Sequence, residues 1–543
     1  MDDIERTLVL ARERFGIKDF HPLQRLAIAN LLEGTGDRDG PFDGSRPDFG
    51  AGRPDLEAGG PDLEAGGPDL EAGGRPEAAP SRQMVILPTG AGKSLCFQAP
   101  ALVLGRPTLV LYPLLALMED QRRRLAQAGI ATAVFRGGQS PEERAAGLEA
   151  LRSGKAPIAI ANPEVLASME LREQLAGIGI DHLAVDEAHC VTEWGETFRP
   201  AYLEIGAIAE AILPRYISAF TATASPLVLE AVARRLFGDR PWRLVAGNPD
   251  RPNIHWSIAP TLSRSHSLFR LLASEARPLI VFASSRRGVE KIAATIRSRR
   301  PDLDVRLYHA GLEAPEKRAT EAWFLESPSG ILVATCAYGM GVDKKNIRTV
   351  IHWEAPASVE AYVQEAGRSG RDGLSARAIL LLGRDERRGR EKDEGRNRRR
   401  EAFLAWAREG EGCRRRGLLS LLGAGIEGDC QGCDRCDGSA RETYEGEEEI
   451  MRFVARHPRR WDREASAERL CREKSPLWAS PGREPFPLPE AGNLEGWHRE
   501  EVGAALRSLI AEGRLIERKG RLWKGCLETN SEGKRSREAR LPS

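Results

Sequence analysis

The chain has 543 residues, 41% of them hydrophobic and 29% charged, with a formal net charge of +1. That length holds roughly three or four domains of about 150 residues, and the near-zero charge excludes a global field for nucleic acid, so any such binding must use local patches. The acidic start Met1-Asp2-Asp3-Ile4-Glu5 does not read as a signal peptide. The longest apolar region, about Ala99–Met118, is broken by Arg106, Pro107 and Pro113, so no membrane span is expected.

Residues 1–33 carry a helical pattern that includes Phe20-His21-Pro22-Leu23-Gln24. A glutamine amide offers a donor and an acceptor together and so can pair with adenine; by itself Gln24 fits an ordinary capped helix equally well. Residues 34–81 differ in kind. Pro-Asp-Leu-Glu-Ala-Gly-Gly occurs three times, starting at Pro54, Pro61 and Pro68, and eleven acidic residues stand against four basic ones. Gly-Gly-Pro in each repeat breaks helices, so a flexible acidic insertion, a neutral spacer, is expected.

An apolar run, Met84–Leu87, leads into Leu-Pro-Thr-Gly-Ala-Gly-Lys-Ser at Leu87–Ser94 and then a helical segment from Leu95. A strand, a glycine turn and a helix start form a phosphate cradle. Thr89, Gly90, Gly92, Lys93 and Ser94 are its candidate nucleotide ligands, with Lys93 as a point charge and the Ser94 hydroxyl on Mg²⁺. The strict pattern has glycine where Leu87 stands, so the loop alone is weak evidence.

Apolar runs then alternate with helical stretches: Met84–Leu87, Thr108–Tyr112, Ala156–Ile160, His182–Val185 and Tyr216–Phe220. The alternation restarts at Leu279–Phe282, Val305–Tyr308, Gly330–Ala334, Thr349–His352 and Arg377–Leu382. Such alternation predicts an α/β protein with two tandem parallel-sheet lobes, helices on both faces. The expected bounds are 1–246 and 247–384.

In the first lobe, Asp186 and Glu187 end a buried strand, with His189 two residues on. Phosphoryl transfer to water needs a Mg²⁺ ligand, which suits Asp186, and a group that orients or deprotonates the water, which suits Glu187. Thr221 and Thr223 follow another strand and either relay between lobes or cap a helix. In the second lobe, Arg368 and Arg371 are flanked by glycines; an arginine reaching across a cleft would stabilise developing charge on the γ-phosphate.

Gly383–Arg400 holds eight arginines and one lysine against five acids and reads as a solvated helix face. Cys413, Cys430, Cys433 and Cys436 follow with spacing C-x16-C-x2-C-x2-C. Four thiolates fill a tetrahedral Zn²⁺ shell, so the site should be structural, in a module spanning 385–440. Clustered cysteines without an export signal point to metal, not disulfides, and to the cytoplasm, nucleoid-associated in a bacterium. The other five cysteines are not expected to be ligands. In 441–529, helices at Glu447–Arg456 and Glu500–Glu512 precede Gly513–Trp523, two short strands around Lys519-Gly520. Trp523 reads as core. The tail, 530–543, is expected to be disordered.

The motif series resembles the RecQ family of superfamily 2 helicases over roughly residues 10–440, apart from the insertion. It comprises Phe20–Gln24, Leu87–Ser94, Tyr112–Leu117, Asp186–His189, Thr221–Thr223, Tyr308–Leu312, Ala334–Gly341 and Gln364–Gly373, in the family's order. Leu87 belongs to the superfamily's form of the phosphate loop. The resemblance implies two RecA-like lobes, adenine recognition by Gln24, Arg371 as arginine finger beside Arg368, and a nucleotide-side role for Asp343 at the inter-lobe cleft. Cys190–Pro200 resembles the family's aromatic-rich loop, which couples single-strand binding to hydrolysis. Trp194 and Phe198 offer stacking faces and Arg199 a phosphate partner. Glu193 and Glu196 stand where the family usually has Gln and His, adding negative charge near the DNA path.

The family also carries a zinc module followed by a winged helix, and implies 3′→5′ polarity with roles in DNA recombination and repair. ATP, Mg²⁺ and Zn²⁺ are the expected cofactors; single-stranded and forked or partially duplex DNA are the expected partners, protein partners being unknown. The accessory C-terminal domain of many relatives is not expected. Two rival readings are a nucleic-acid translocase or RNA remodeller that does not separate DNA strands, and a non-enzymatic zinc and winged-helix DNA-binding protein.

Overall fold

The computed structural model describes residues 3–32, 82–88, 90–193, 200–338, 344–384, 386, 394–409, 411–426, 428–430, 432–472, 492–519 and 524–530. The acidic repeats, Thr89, Trp194, Phe198, Arg199, Asp343, Trp523 and the tail from Ser531 lie outside them.

The first lobe is a seven-stranded parallel sheet. Its strands are β1 (Arg82–Ile86), β2 (Thr108–Leu111), β3 (Thr132–Phe135), β4 (Ile158–Ala161), β5 (His182–Val185), β6 (Tyr216–Thr221) and β7 (Arg243–Ala246). They lie in the order β3-β4-β2-β5-β6-β1-β7. Successive residues feed opposite cores, as the period of a strand requires. Met84 and Ile86 join one hydrophobic cluster and Val85 and Leu87 the other, and Leu109 and Leu111 part from Val110 in the same way. Both faces are buried, which is why the central strands read as continuous apolar runs.

The second lobe is a six-stranded parallel sheet of β8 (Ile254–Thr261), β9 (Leu279–Phe282), β10 (Val305–Tyr308), β11 (Ile331–Ala334), β12 (Thr349–His352) and β13 (Ala376–Gly383), ordered β10-β11-β9-β12-β13-β8. Leu279 and Val281 face one cluster, Ile280 and Phe282 the other.

Three strands escaped the apolar-run reading, and all three are sheet edges. β3 alternates half-buried and buried residues, and β7 buries only Val245. β8 interleaves His255 and Ser257 with apolar residues because its outer edge is covered by the cysteine module. That module shares a core with the lobe: Phe403, Leu404, Trp406, Leu418 and Cys433 cluster with Trp256 and Tyr362. The arginine-rich run is correspondingly not all solvated. It leads into the helix Glu394–Arg408, where Arg399 is buried and Arg400 donates to Ala355 O at 3.0 Å and Pro356 O at 3.2 Å.

The C-terminal module has three helices, Glu447–Arg456, Arg463–Cys471 and Arg499–Ala511, and an antiparallel pair, β14 (Leu515–Glu517) and β15 (Leu527–Thr529). The middle helix, capped by Asp462, was not expected. Leu515–Glu517 pairs with Leu527–Thr529, whose Leu515 and Leu527 reach this module's core, while the expected strand residues Arg521–Trp523 lie outside the described residues. Asn530 is hydrogen-bonded through its N–H to Arg514 O at 3.0 Å, so the ordered chain runs into the expected tail. Among the described residues no helix is long and apolar enough to cross a membrane.

Candidate nucleotide site and cysteine cluster

β1 delivers the chain to the phosphate loop with Leu87 fully buried, which explains an apolar residue at the position where the strict pattern has glycine. Gly90 and Gly92 adopt φ of +89° and +71°, a region costly for any side chain. The helix after the loop is short: Ser94 leads into Leu95–Gln98, and Pro100 then starts a 3₁₀ turn. Gln24 lies directly on the loop. Its amide nitrogen donates to Ala91 O at 2.8 Å and Gly92 O at 3.1 Å, while its amide oxygen accepts from His21 N at 2.8 Å.

β5 ends beside the loop and presents the acids. Lys93 Nζ stands 3.2 Å from Glu187 Oε1, and His189 Nδ1 stands 3.4 Å from Glu187 Oε2. Glu187 takes φ of +48° and donates its N–H to Asp186 Oδ1 at 2.9 Å, so a strained residue is held by its neighbour's carboxylate. The two carboxyls sit in different fields. Burial, then the adjacent Glu187, raises the pKa of Asp186. Burial also acts to raise Glu187, but the charges of Lys93 and His189 outweigh it and hold the group below the usual carboxylate range.

His189 continues the network. Its Nδ1 lies 3.0 Å from Thr221 Oγ1, and that hydroxyl donates to Thr223 O at 3.0 Å. The Thr221 proton is therefore committed, which assigns the Nδ1 proton to His189. The N-cap of the next helix is Ser225 and not a threonine, so the capping reading falls, and both threonines extend the acid-pair network toward that helix.

From the second lobe come Arg368 and Arg371, on the turn after the helix Val359–Ala366. Arg368 is buried, and burial followed by repulsion from Arg371 brings its pKa down to about 10, opposed by Glu365 and Glu187. The Glu187 charge contributes to this balance, so Arg368 lies within electrostatic reach of the acid pair from the second lobe. Sequence reasoning missed the residues that shape the turn. Arg251 donates to Gly367 O at 3.1 Å, Ser369 O at 3.1 Å and Gly370 O at 3.0 Å, and Asn253 Nδ2 donates to Gly370 O at 2.8 Å. Both precede β8 in a stretch without local pattern, so nothing in the sequence flagged them.

The four cysteines come together. Sγ atoms of Cys413, Cys430, Cys433 and Cys436 all lie within 4.8 Å of one another, and Cys413 and Cys433 are 3.9 Å apart. Tetrahedral Zn²⁺ with Zn–S of about 2.3 Å sets S···S at about 3.8 Å, so the donor set fits the ion. Burial alone would raise the Cys433 thiol, but the N–H groups of Cys436, Arg414 and Arg415 and the Cys436 thiol pull it below its ordinary value, favouring thiolate. The cluster is bonded to the edge of β8. Trp256 N donates to Gly432 O at 3.1 Å, Asp434 N to Trp256 O at 3.0 Å, and Ile258 N to Asp434 Oδ2 at 2.9 Å.

Residues 76–232 match the DEAD/DEAH box helicase family model and residues 263–373 the helicase conserved C-terminal domain. An ATP-dependent DNA helicase RecQ of Pasteurella multocida is 34% identical over 363 residues, 65% of this chain and 57% of that protein. A second, of Bacillus subtilis, is 35% identical over 299 residues, 55% of this chain and 50% of that one. The chain thus spans 50–57% of these two relatives' length. Among solved structures, Mycobacterium smegmatis helicase Lhr bound to ssDNA and AMP-PNP matches with a TM-score of 0.50 and 22% identity. That match covers 75% of this chain and 50% of that one, a likeness of fold. Two RecA-like parallel-sheet lobes thus carry one helicase family model each, and the chain is similar to RecQ helicases over 55–65% of its length.

Proposed function

We propose that the chain is an ATP-dependent DNA helicase that couples hydrolysis to movement along single-stranded DNA and to strand separation. The observation that carries this reading is the Lys93–Glu187 pair on the first lobe, with the charge of Arg368 on the second lobe acting on the same acid. A γ-phosphate entering between them displaces Glu187 from Lys93 and frees the carboxylate to orient water. Developing charge is met from the second lobe by Arg371, with Arg368 behind it. Gln24 reads adenine, and the backbone of Thr89, Gly90 and Gly92 holds phosphates. Asp343 is the expected nucleotide-side residue of the second lobe.

When bound, Mg²⁺ neutralises phosphate charge, and Ser94 and Asp186 are the residues that would hold it. Cys413, Cys430, Cys433 and Cys436 would hold Zn²⁺ as a structural ion. Trp194 and Phe198 stack on bases and Arg199 pairs with phosphate. The C-terminal helices and hairpin act as a winged helix that grips the duplex. The relatives' names support action on DNA; 3′→5′ polarity and a role in recombination and repair are part of the same proposal.

The test is ATP turnover and strand separation on forked DNA, blunt duplex and RNA, in the wild type and Lys93→Ala. Turnover that RNA stimulates as well as DNA, or unwinding that survives Lys93→Ala, rejects the reading.

A further inference from the structure

The helix Pro226–Leu236, which follows β6 and the Thr221–Thr223 network, begins at Ser225 with an incomplete cap. Ser225 has the extended backbone of an N-cap residue, φ −75° and ψ 164°, yet its side chain makes no capping bond. Elsewhere the chain closes such starts locally: Ser140 with Glu143, and Glu313 with Glu316, form reciprocal capping boxes. At Ser225 the corresponding third helical residue is Val228, which is buried and offers no carboxylate. The missing acid arrives from the other lobe. Glu360, in the first turn of the helix Val359–Ala366, accepts the Ser225 N–H on Oε1 at 3.2 Å, across 135 residues of chain.

Both residues are buried, Glu360 at 1% exposure and Ser225 at 5%. Each also keeps one buried polar atom without a hydrogen-bond partner among the described residues, Glu360 Oε2 and Ser225 Oγ. A buried carboxylate held by a single neutral donor is costly to keep. The two idle atoms are complementary, an acceptor and a hydroxyl donor, on residues already bonded to each other. The same helix start abuts the cysteine module: a Cβ at Gly423 would lie 3.1 Å from Pro226 Cγ.

We propose that Glu360 is a positioning residue that supplies the N-cap acid of the helix Pro226–Leu236 from the second lobe. It thereby latches the acid-pair network of the first lobe to the movement of the second. The contact chain runs Lys93, Glu187, His189, Thr221, Thr223, then two residues on to Ser225 and across to Glu360. Rotation of the Ser225 hydroxyl onto Oε2 converts the single bond into a two-point clasp. A change at the acids is thus read by the second lobe without Glu360 touching nucleotide.

The inference rests on the ATP-driven reading above, and its test separates the two. Dyes on the two lobes report inter-lobe distance with and without a non-hydrolysable ATP analogue, alongside ATP turnover and strand separation, in wild type, Glu360→Gln, Glu360→Ala and Glu360→Asp. The amide oxygen of Glu360→Gln still accepts the Ser225 N–H, so that variant should stay within twofold of wild type. Glu360→Ala, and Glu360→Asp with its shorter reach, should keep DNA-free turnover within twofold. They should lose at least fivefold in strands separated per ATP and blunt the nucleotide-dependent distance change. Should Glu360→Ala not fold, Glu360→Asp decides. A wild-type distance response in the Ala and Asp variants, or equal losses of turnover and unwinding without rescue by Gln, overturns the latch. If the wild type hydrolyses ATP without separating strands, the functional reading falls while the distance response still decides the latch.

Discussion

Gln24 and Gly92, 68 residues apart in the chain, meet at the phosphate loop, where the Gln24 amide donates to Gly92 O at 3.1 Å. The contact is close because glycine leaves the space: a Cβ at Gly92 would lie 2.6 Å from Gln24 Nε2. Gly92→Ala meets two obstacles, the positive φ, worth roughly 1–2 kcal/mol, and this clash. ATP affinity, read with a fluorescent analogue, should fall at least tenfold. Gln24→Ala alone measures the loss of its own loop and adenine contacts, and in the double variant the clash is gone while the positive φ remains, so a double-mutant cycle should show partial relief. Strict additivity would mean that Gln24 does not set the loop.

Lys93 and Glu187 neutralise one another in a largely buried pocket, with Asp186 alongside. Glu187→Gln should leave ATP binding within a fewfold of wild type while lowering turnover by about 10²-fold or more, since only the water-orienting charge is lost. Lys93→Ala should lower both. Equal effects of the two substitutions on binding would contradict the separate roles.

Arg368 offers a pH test. Burial and Arg371 bring it down to about 10, so it stays charged through neutral pH. A lysine in the same surroundings starts from an ordinary pKa of about 10.4 and is pushed down by the same burial and repulsion. A raised pH removes the proton, so Arg368→Lys should lose activity as pH rises through the mildly alkaline range, where wild type stays level. A flat profile for the variant would show that the cation at this position is not needed.

The cysteine cluster is hydrogen-bonded along the edge of β8, so its ion should stabilise the second lobe as well as its own module. Wild-type protein should carry one zinc per chain, and Cys433→Ser should lose it with a clear drop in melting temperature. Asp434→Ala leaves the buried Arg414 guanidinium, 3.3 Å from Asp434 Oδ1, without its carboxylate, at a cost of about 3 kcal/mol. Undiminished zinc in Cys433→Ser would refute the ligand assignment.

Legibility followed burial. Central strands such as β5 and β9 are covered on both faces, so Leu183–Val185 and Leu279–Phe282 are unbroken apolar runs that no other element type explains. Edge strands carry one wet or shared side. β8 is stabilised by Gly432 and Asp434 from another module, a partnership that leaves no trace in its own composition. The charged run before Cys413 misled for the same reason: Arg399 is buried and Arg400 finds Ala355 and Pro356 only in the assembled lobe.

The sequence by itself determined the chemistry of the site: which residues carry amide, ammonium, carboxylate, guanidinium and thiol, and in what order they occur, because those groups are fixed by residue type and their local spacing by short turns. Only the tertiary structure decided their partners. Gln24 binding the loop carbonyls, Arg251 and Asn253 shaping the arginine turn, Asp434 anchoring the cysteines and Glu360 capping a helix of the other lobe are contacts between distant segments. They depend on where each buried polar group finds its complement once water is excluded, and local sequence does not encode that.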